Sequence, residues 1–368
     1  MDPRTSRTIA VALLIGLALA GVVIAGVAGP ANLPAAAEAF VDGAYGSGTS
    51  WGATVAAAAP ILLIGIAASI SFRAGIFNLG QPGMFVIGAV AAGATAPVVP
   101  GPPWFNVLIT LAVSAAVGAV WAGLIAAGAV LAALDILVLS LIMNYLADGL
   151  ATLLTTRVFR DPTALGIIET RLVPARLPLL VPQSSFHAGV LLAAVACLAY
   201  WWVMNQSRAG HRLRLYGQNP KFAAASGTPR RGYELRVTVM TGALCGLAGG
   251  VQVLGVFLRY IDGTVGGSAS YAWTGVILAI LVPTGTLLLL PGALFLASLQ
   301  TGLLGVERAV GVSSRLSLVV QAVVMIAVAY GRGRASGADR LRAGKPEPPE
   351  PPEPRPAGQP ATTGGVPS

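Results

Sequence analysis

Ser71-Phe72-Arg73-Ala74-Gly75-Ile76-Phe77-Asn78-Leu79-Gly80-Gln81-Pro82-Gly83-Met84-Phe85-Val86-Ile87-Gly88 sets a glycine-punctuated polar break between two membrane-length apolar runs. A hydrocarbon core offers no water to unpaired backbone groups. Arg73, Asn78, Gln81 and Pro82 therefore belong at a membrane edge, against other protein, or along a polar cavity. A permeation pathway is one such cavity.

The sequence around the break has the composition of a membrane protein. Of 368 residues, 55% are hydrophobic and 10% charged, too little polar surface to cover a soluble globule. Apolar runs recur near 9–28, 53–70, 83–99, 105–130, 136–156, 188–204, 237–258, 272–290, 291–306 and 316–330. Each approaches the roughly 20 residues that cross a bilayer, which predicts an all-α polytopic membrane protein of about ten transmembrane helices. The run at 9–28 follows Arg4 and Arg7 but exceeds the roughly 7–15 apolar residues of a signal peptide, so it reads as a retained first span. Residues 1–332 form the transmembrane domain in this reading. The stretch 333–368, with its Lys-Pro-Glu-Pro-Pro-Glu repeats, reads as a disordered Pro-rich cytoplasmic tail.

The net charge of +9 lies in short loops, where basic residues set orientation rather than form a nucleic-acid surface. An inside N-terminus gives the cytoplasmic face Arg4, Arg7, Arg73, Arg208, Arg212, Arg214, Lys221, Arg230, Arg231, Arg236, Arg332 and Arg334. The other face receives Arg157, Arg160, Arg171, Arg176, Arg259, Arg308 and Arg315. The asymmetry predicts a multi-pass protein with both termini cytoplasmic. Ala and Gly richness, and Arg at all but two of the 23 basic positions, suit a GC-rich bacterium and hence its plasma membrane.

Enzyme classes find little support. Cys197 and Cys245 lie inside predicted spans, and the spacing supports neither a disulfide framework nor a metal site. His187 and His211 fall on opposite faces in this topology, so no catalytic constellation is expected. The one Gly-Lys pair, Gly344-Lys345, is followed by Pro346 and makes no phosphate loop. The chain is expected to carry no cofactor and to hydrolyse no ATP itself.

The polar segments differ in character. Residues 29–50, with Glu38 and Asp42, read as a loop. Residues 157–187, with Pro162, Pro174, Pro178 and Pro182, read either as an ordered extended cover on the outer face or as a plain connector. In the longest loop, about 205–236, Asn219 is a good N-cap and Pro220 suits the first helical position. Lys221 to Ser226 can form a short helix, and Gly227 fits the position past its end. A helix under two turns long needs a docking partner to stay ordered.

Within the break, Asn78 and Gln81 supply neutral donors and acceptors suited to hydroxyls or nucleobase edges, with Phe77 beside them. The other reading is structural hydrogen bonding. Asn144 and Asp148 stand four residues apart and share a helix face, with Asp135 near the start of that helix. Asp148 is open to three roles: a hydroxyl contact, a helix cap, or an outer-rim residue in water. Gln252 and Gln300 are further candidates, whereas Met84 and Phe85 read as packing residues.

The pattern Gly217-x-Asn219-Pro220-x-x-Ala223-Ala224-x-x-Gly227, followed by Thr241-Gly242-Ala243-Leu244-Cys245-Gly246-Leu247-Ala248-Gly249-Gly250, carries a family resemblance. It resembles the coupling loop and next span of bacterial ABC importer permeases, in the branch that moves simple sugars and nucleosides. Arg73 to Gly80, Gly83 and Ile87-Gly88-Ala89 are similar to that branch's early glycine-rich motif, and Leu141 to Ala147 to its mid-chain one. The likeness covers about residues 50–330. It departs at Gln81-Pro82-Gly83, where nucleoside-type permeases usually carry an acidic residue and glycine, and at Gly266-Gly267-Ser268-Ala269-Ser270-Tyr271.

The resemblance implies a permease fold whose pathway takes up a nucleoside or simple sugar. It implies ATP and Mg on a partner ATPase, a second permease subunit forming a heterodimer, and an extracytoplasmic substrate-binding lipoprotein. It assigns ATPase coupling to Gly217, Asn219, Pro220, Lys221, Phe222, Ala223, Ala224 and Gly227. An ion- or proton-coupled transporter using Asp135 and Asp148 is the rival reading, as is an ABC permease for another solute such as a branched-chain amino acid.

Overall fold

The computed structural model describes residue 26 and residues 29–323, apart from 165, 226–229, 264–268, 284, 312 and 314–318. The run at 9–28 except residue 26, most of that at 316–330, the tail and Gly227 lie outside the described residues. Among the described residues the regular elements are helices: α1 (Leu33–Tyr45), α2 (Gly48–Arg73), α3 (Gln81–Thr95), α4 (Pro103–Leu131), α5 (Ile136–Arg157), α6 (Gly189–Gln206), α7 (Arg208–Gln218), α8 (Pro220–Ala225), α9 (Arg230–Gln252), α10 (Ala269–Leu281) and α11 (Leu289–Val310).

The central element is α2. The Ser47 side chain accepts from the Ser50 N–H at 3.1 Å and caps it, and every residue from Ala56 to Ser71 is buried. A helix apolar all round is stable only when surrounded, and α6, α9, α10 and α11 pack against this one. Around the periphery, α4, α5 and α6 keep large apolar side chains exposed, among them Leu124, Val138, Tyr145 and Leu198. Such an outward apolar face suits lipid or another membrane chain.

Six helices among the described residues are long and apolar enough to cross a membrane: α2, α4, α5, α6, α9 with its extension, and α11. That is fewer than the runs predicted from sequence, and two of those runs are cut short. The 83–99 run forms α3, which has 15 residues and spans about 22 Å against about 30 Å of hydrocarbon. The 272–290 run ends at Leu281 as a 13-residue helix, with irregular chain before Leu289. Pro283 and Gly285 explain the interruption, since proline removes a backbone donor and glycine weakens the helix. The segment read as a loop at 29–50 instead contains α1. It lies along α11, where Gly43 meets Gly305 and Phe40 covers Gly302.

Three helices meet at a glycine seam. A side chain at Gly88 of α3 would strike Gly246 of α9, and one at Gly118 of α4 would strike Gly242 and Gly246. Gly246 itself rests on the Ser114 carbonyl, and Gly249 on the Phe85 carbonyl. Lipid supplies no hydrophobic drive between helices, so close backbone contact through small residues holds them together.

The 157–187 segment is an ordered cover. The α9 helix loosens into a π turn at Val253–Phe257 and ends at Leu258 with φ 56°. The carbonyls and amides released there pair with the cover. Leu177, Val173 and Thr170 donate their N–H groups to the carbonyls of Leu254 (3.0 Å), Leu258 (2.8 Å) and Tyr260 (2.9 Å), and Asp262 N–H donates to the Ile168 carbonyl at 2.9 Å. Arg259 pairs with Glu169. His187 is fully buried where the cover returns to α6, its Nδ1 accepting from the Gly189 N–H at 3.1 Å and its ring filling the space left by Gly255.

Gly246→Val is expected to separate α4 from α9 at the upper end of the roughly 1–3 kcal/mol that overpacking costs. Gly123→Ala should not destabilise and should gain up to about 1 kcal/mol of helix propensity, because its added methyl meets only Val239 at 3.6 Å. Thermal unfolding of the two purified variants checks this. A second expectation concerns acid. Burial pushes the His187 pKa down to about 4 from an ordinary 6.5. The unfolded ring takes a proton as pH falls through 6.5 while the folded ring stays neutral, so stability is full above 6.5 and is lost toward pH 4. The loss is about 3 kcal/mol at roughly 1.4 kcal/mol per pH unit. The melting temperature of the wild type should fall further between pH 7 and pH 5 than that of His187→Gln.

Candidate functional site

The break between α2 and α3 is built by backbone groups that the helices leave free. Gly75 ends α2 at φ 73°, a conformation that strains a residue with a side chain. Ser71 locks the turn from both sides: its carbonyl accepts from Ile76 N–H at 3.0 Å, and its hydroxyl donates to the Ile76 carbonyl at 2.8 Å. Beyond Phe77, the Asn78 Oδ1 accepts from Gly80 N–H at 2.8 Å and the Gln81 Nε2 donates to the Asn78 carbonyl at 2.8 Å. Gln81 is thus the first residue of α3 rather than part of the irregular stretch.

Helix α5 clamps this segment. Ser140 Oγ accepts from Leu79 N–H at 3.1 Å. One turn on, Asn144 donates through Nδ2 to the Leu79 carbonyl at 2.9 Å and accepts through Oδ1 from Gly83 N–H at 2.9 Å. A carboxamide carries a donor and an acceptor side by side, as a peptide group does, so Asn144 replaces the missing helical partners of the break.

The sequence-derived candidates separate in the fold. Asn78, Gln81 and Asn144 come together and are buried, while Phe77 is 60% exposed and stacks on Phe72 with ring centroids 5.5 Å apart. After these bonds form, Asn78 Nδ2 and Gln81 Oε1 remain buried with no partner. Asp148 is not part of this group. It is exposed, one turn past Asn144, and stands near Asp262, whose carboxylate also accepts from Thr152 at 2.9 Å. The expected shared face of Asn144 and Asp148 divides because four residues advance about 40° beyond a full turn, enough to carry the second side chain past the edge of the contact. Asp135 is the N-cap of α5, accepting from Leu137 N–H at 2.8 Å.

At the end of α2 the long loop folds back onto the break. Helix α7 buries Gly210, Leu213 and Tyr216. Gly217 lies against the Arg73 carbonyl, in a space that would not admit a Cβ, and it faces Gly75. Asn219 caps the next helix, its Oδ1 accepting from Phe222 N–H at 3.0 Å. In α8, Ala223 is buried and Phe222 exposed. Pro220 opens this helix, and the backbone of Lys221 and Ala224 lies within it. Arg73 sets its guanidinium carbon 5.8 Å from the Tyr200 ring centroid, and the Tyr200 hydroxyl bonds Ser69 at 2.8 Å.

Sequence reasoning missed Ser71 and Ser140. A serine four residues before Asn144 was a usable signal for the second of these. Nothing local marks Ser71, whose partner depends on how the chain turns at Gly75.

Membrane-length helices around a central buried one, with a break between α2 and α3 and a folded polar loop against it, are the architecture of a multi-pass membrane protein. The chain belongs to the family described as the branched-chain amino acid transport system permease component, whose model matches residues 50–329. Among curated proteins it is 28% identical over 324 residues to a guanosine ABC transporter permease protein of Bacillus subtilis, covering 87% of this chain and 91% of that one. It is 28% identical to a glucose ABC transporter permease protein of Haloferax volcanii, over 73% of each chain. A nucleoside ABC transporter permease protein of Lactococcus lactis is 26% identical over 62% of this chain and 74% of its own. No solved structure matches the chain.

Asn144→Ala is expected to leave the Leu79 carbonyl and the Gly83 N–H unpaired, at about 1–3 kcal/mol for each. The variant should melt several degrees lower and show faster amide exchange across 77–84. Tyr145→Phe, at the exposed neighbouring position, should change neither measurement.

Proposed function

We propose that the chain is the permease subunit of an ABC importer and forms the pathway for ATP-driven uptake of a nucleoside or simple sugar. The observation that carries this reading is the unpaired donor of Asn78 and the unpaired acceptor of Gln81 in a break clamped by α5. A buried donor and acceptor without partners suit a solute that brings hydroxyls or amide-like edges and no charge. The named activities of the guanosine, glucose and nucleoside relatives agree with such a solute.

Gly217, Asn219, Pro220, Lys221, Phe222, Ala223, Ala224 and Gly227 form the proposed contact with a separate ATPase, which binds ATP and Mg. Support comes from the seating of Gly217 on the Arg73 carbonyl, a direct link from α7 to the break. The extended cover at the other end is the proposed landing surface for an extracytoplasmic substrate-binding lipoprotein. A second permease subunit, in a heterodimer, is proposed against the exposed apolar faces, in a bacterial plasma membrane with both termini inside.

Uptake of labelled guanosine and glucose by the reconstituted transporter tests this, with ATP inside the vesicles and with or without a proton gradient. ATP-dependent uptake indifferent to the gradient is expected, and Asn78→Ala should change the ratio of the two solutes. Uptake that needs the gradient and ignores ATP would replace this reading with the proton-coupled one.

A further inference from the structure

A second group of neutral polar side chains lies toward the cover, away from the break. Gln300 Nε2 of α11 donates to Thr274 Oγ1 of α10 at 2.8 Å, and Thr274 in turn donates to Gln321 Oε1 at 2.8 Å. The chain of bonds stops there: Gln321 Nε2 is buried with no acceptor. Tyr271, one turn before Thr274 on α10, brings its hydroxyl toward Gln252 at the end of α9. Gln252 is 1% exposed, and beyond the approach of the Tyr271 hydroxyl its amide nitrogen and amide oxygen have no hydrogen-bond partner.

These residues come from three helices and from residue 321, so no local pattern explains their convergence. Gln252 lies one turn past Gly249, which rests on the Phe85 carbonyl of α3, and immediately precedes the π turn that pairs with the cover. The group therefore stands beyond the point where α9 touches α3 at Phe85 to Ala89, more than one turn of α3 away from the break. Two uncharged stations in series suit permeation, because each can release what it holds.

The chemistry is more selective than a hydroxyl site. A carboxamide with unused capacity can offer a donor and an acceptor in one plane, the pairing that glutamine makes with the edge of a base. An aromatic ring beside it supplies a face on which a base stacks. We infer that Gln252 and Gln321, flanked by Tyr271, form a cover-side station that reads the nucleobase of a nucleoside on its way to the break. This rests on the transport function proposed above and narrows its solute to a nucleoside.

The test uses the complete reconstituted transporter and measures uptake of guanosine, adenosine, cytidine and glucose. Gln252→Leu is expected to change the ranking among the three nucleosides by about tenfold, the size of one or two lost hydrogen bonds. Assembly should be retained. An unchanged ranking in an active variant overturns the inference, as does an equal loss for every solute carried. A higher melting temperature with unchanged ranking would identify an internal water site and overturn it too. If Gln252→Leu does not assemble, Gln252→Asn and Gln321→Leu read the same ranking under the same criteria. Wild-type protein that carries glucose and no nucleoside overturns this station alone. Wild-type protein that carries none of the four overturns the nucleoside-or-sugar function itself.

Discussion

The carboxamide of Asn144 is the interaction on which the rest of the site depends. In a bilayer interior an irregular stretch survives only if protein groups take the place of water. Asn144 gives the Leu79 carbonyl its donor and the Gly83 N–H its acceptor, with Ser140 serving Leu79 N–H one turn earlier. Those three bonds allow α2 to end and α3 to begin inside the protein. They also fix where Asn78 and Gln81 stand, since both side chains bond to the same few peptide groups.

A similar economy operates at the cover. The π turn after Gln252 leaves backbone groups that the helix cannot satisfy, and the extended segment from Ile168 to Leu177 satisfies them. Loosened helix and proline-rich loop complete each other, which accounts for an ordered segment with little regular structure of its own. His187 adds a buried ring beneath it, fitted against Gly255. Between the break and the cover runs the glycine seam of α3, α4 and α9, where backbones touch and leave little room for side chains to adjust. Movement of α7 against Arg73 would therefore be passed on through closely packed elements rather than absorbed by them.

The polar side chains divide into those with satisfied partners and those without. Asn106 bonds the carbonyls of Ala96 and Val99 at 2.8 and 2.9 Å, closing the turn between α3 and α4, and Thr54 donates to the Ala44 carbonyl at 2.9 Å. Those residues hold the fold. Asn78, Gln81, Gln252 and Gln321 each keep a buried polar atom unused, an arrangement that low surrounding polarity makes costly. Leftover capacity, not burial, which both share, is what sets the amides proposed to face solute apart from Asn106.

Much of this was legible in the sequence. Membrane character followed from the excess of apolar residues, the break from Gly75 to Gly83, and the capped helix at Pro220 from the Asn-Pro pair, because each depends on properties of adjacent residues. The glycines of 241–250 were visible as a motif, but their seating on Ser114 and Phe85 was not, since a glycine does not encode which backbone will approach it. Helix lengths were overestimated at 83–99 and 272–290, where hydropathy alone does not register the prolines and glycines that end a helix early. Asn78 and Gln81 could be named from sequence as polar residues in a break. Only the tertiary structure decided that one atom of each is occupied by the backbone and one is free, that Asn144 joins them while Asp148 does not, and that Gln252 and Gln321 flank the same stretch of α10. Hydrogen-bond capacity belongs to a side chain, but whether it is used depends on partners tens of residues away.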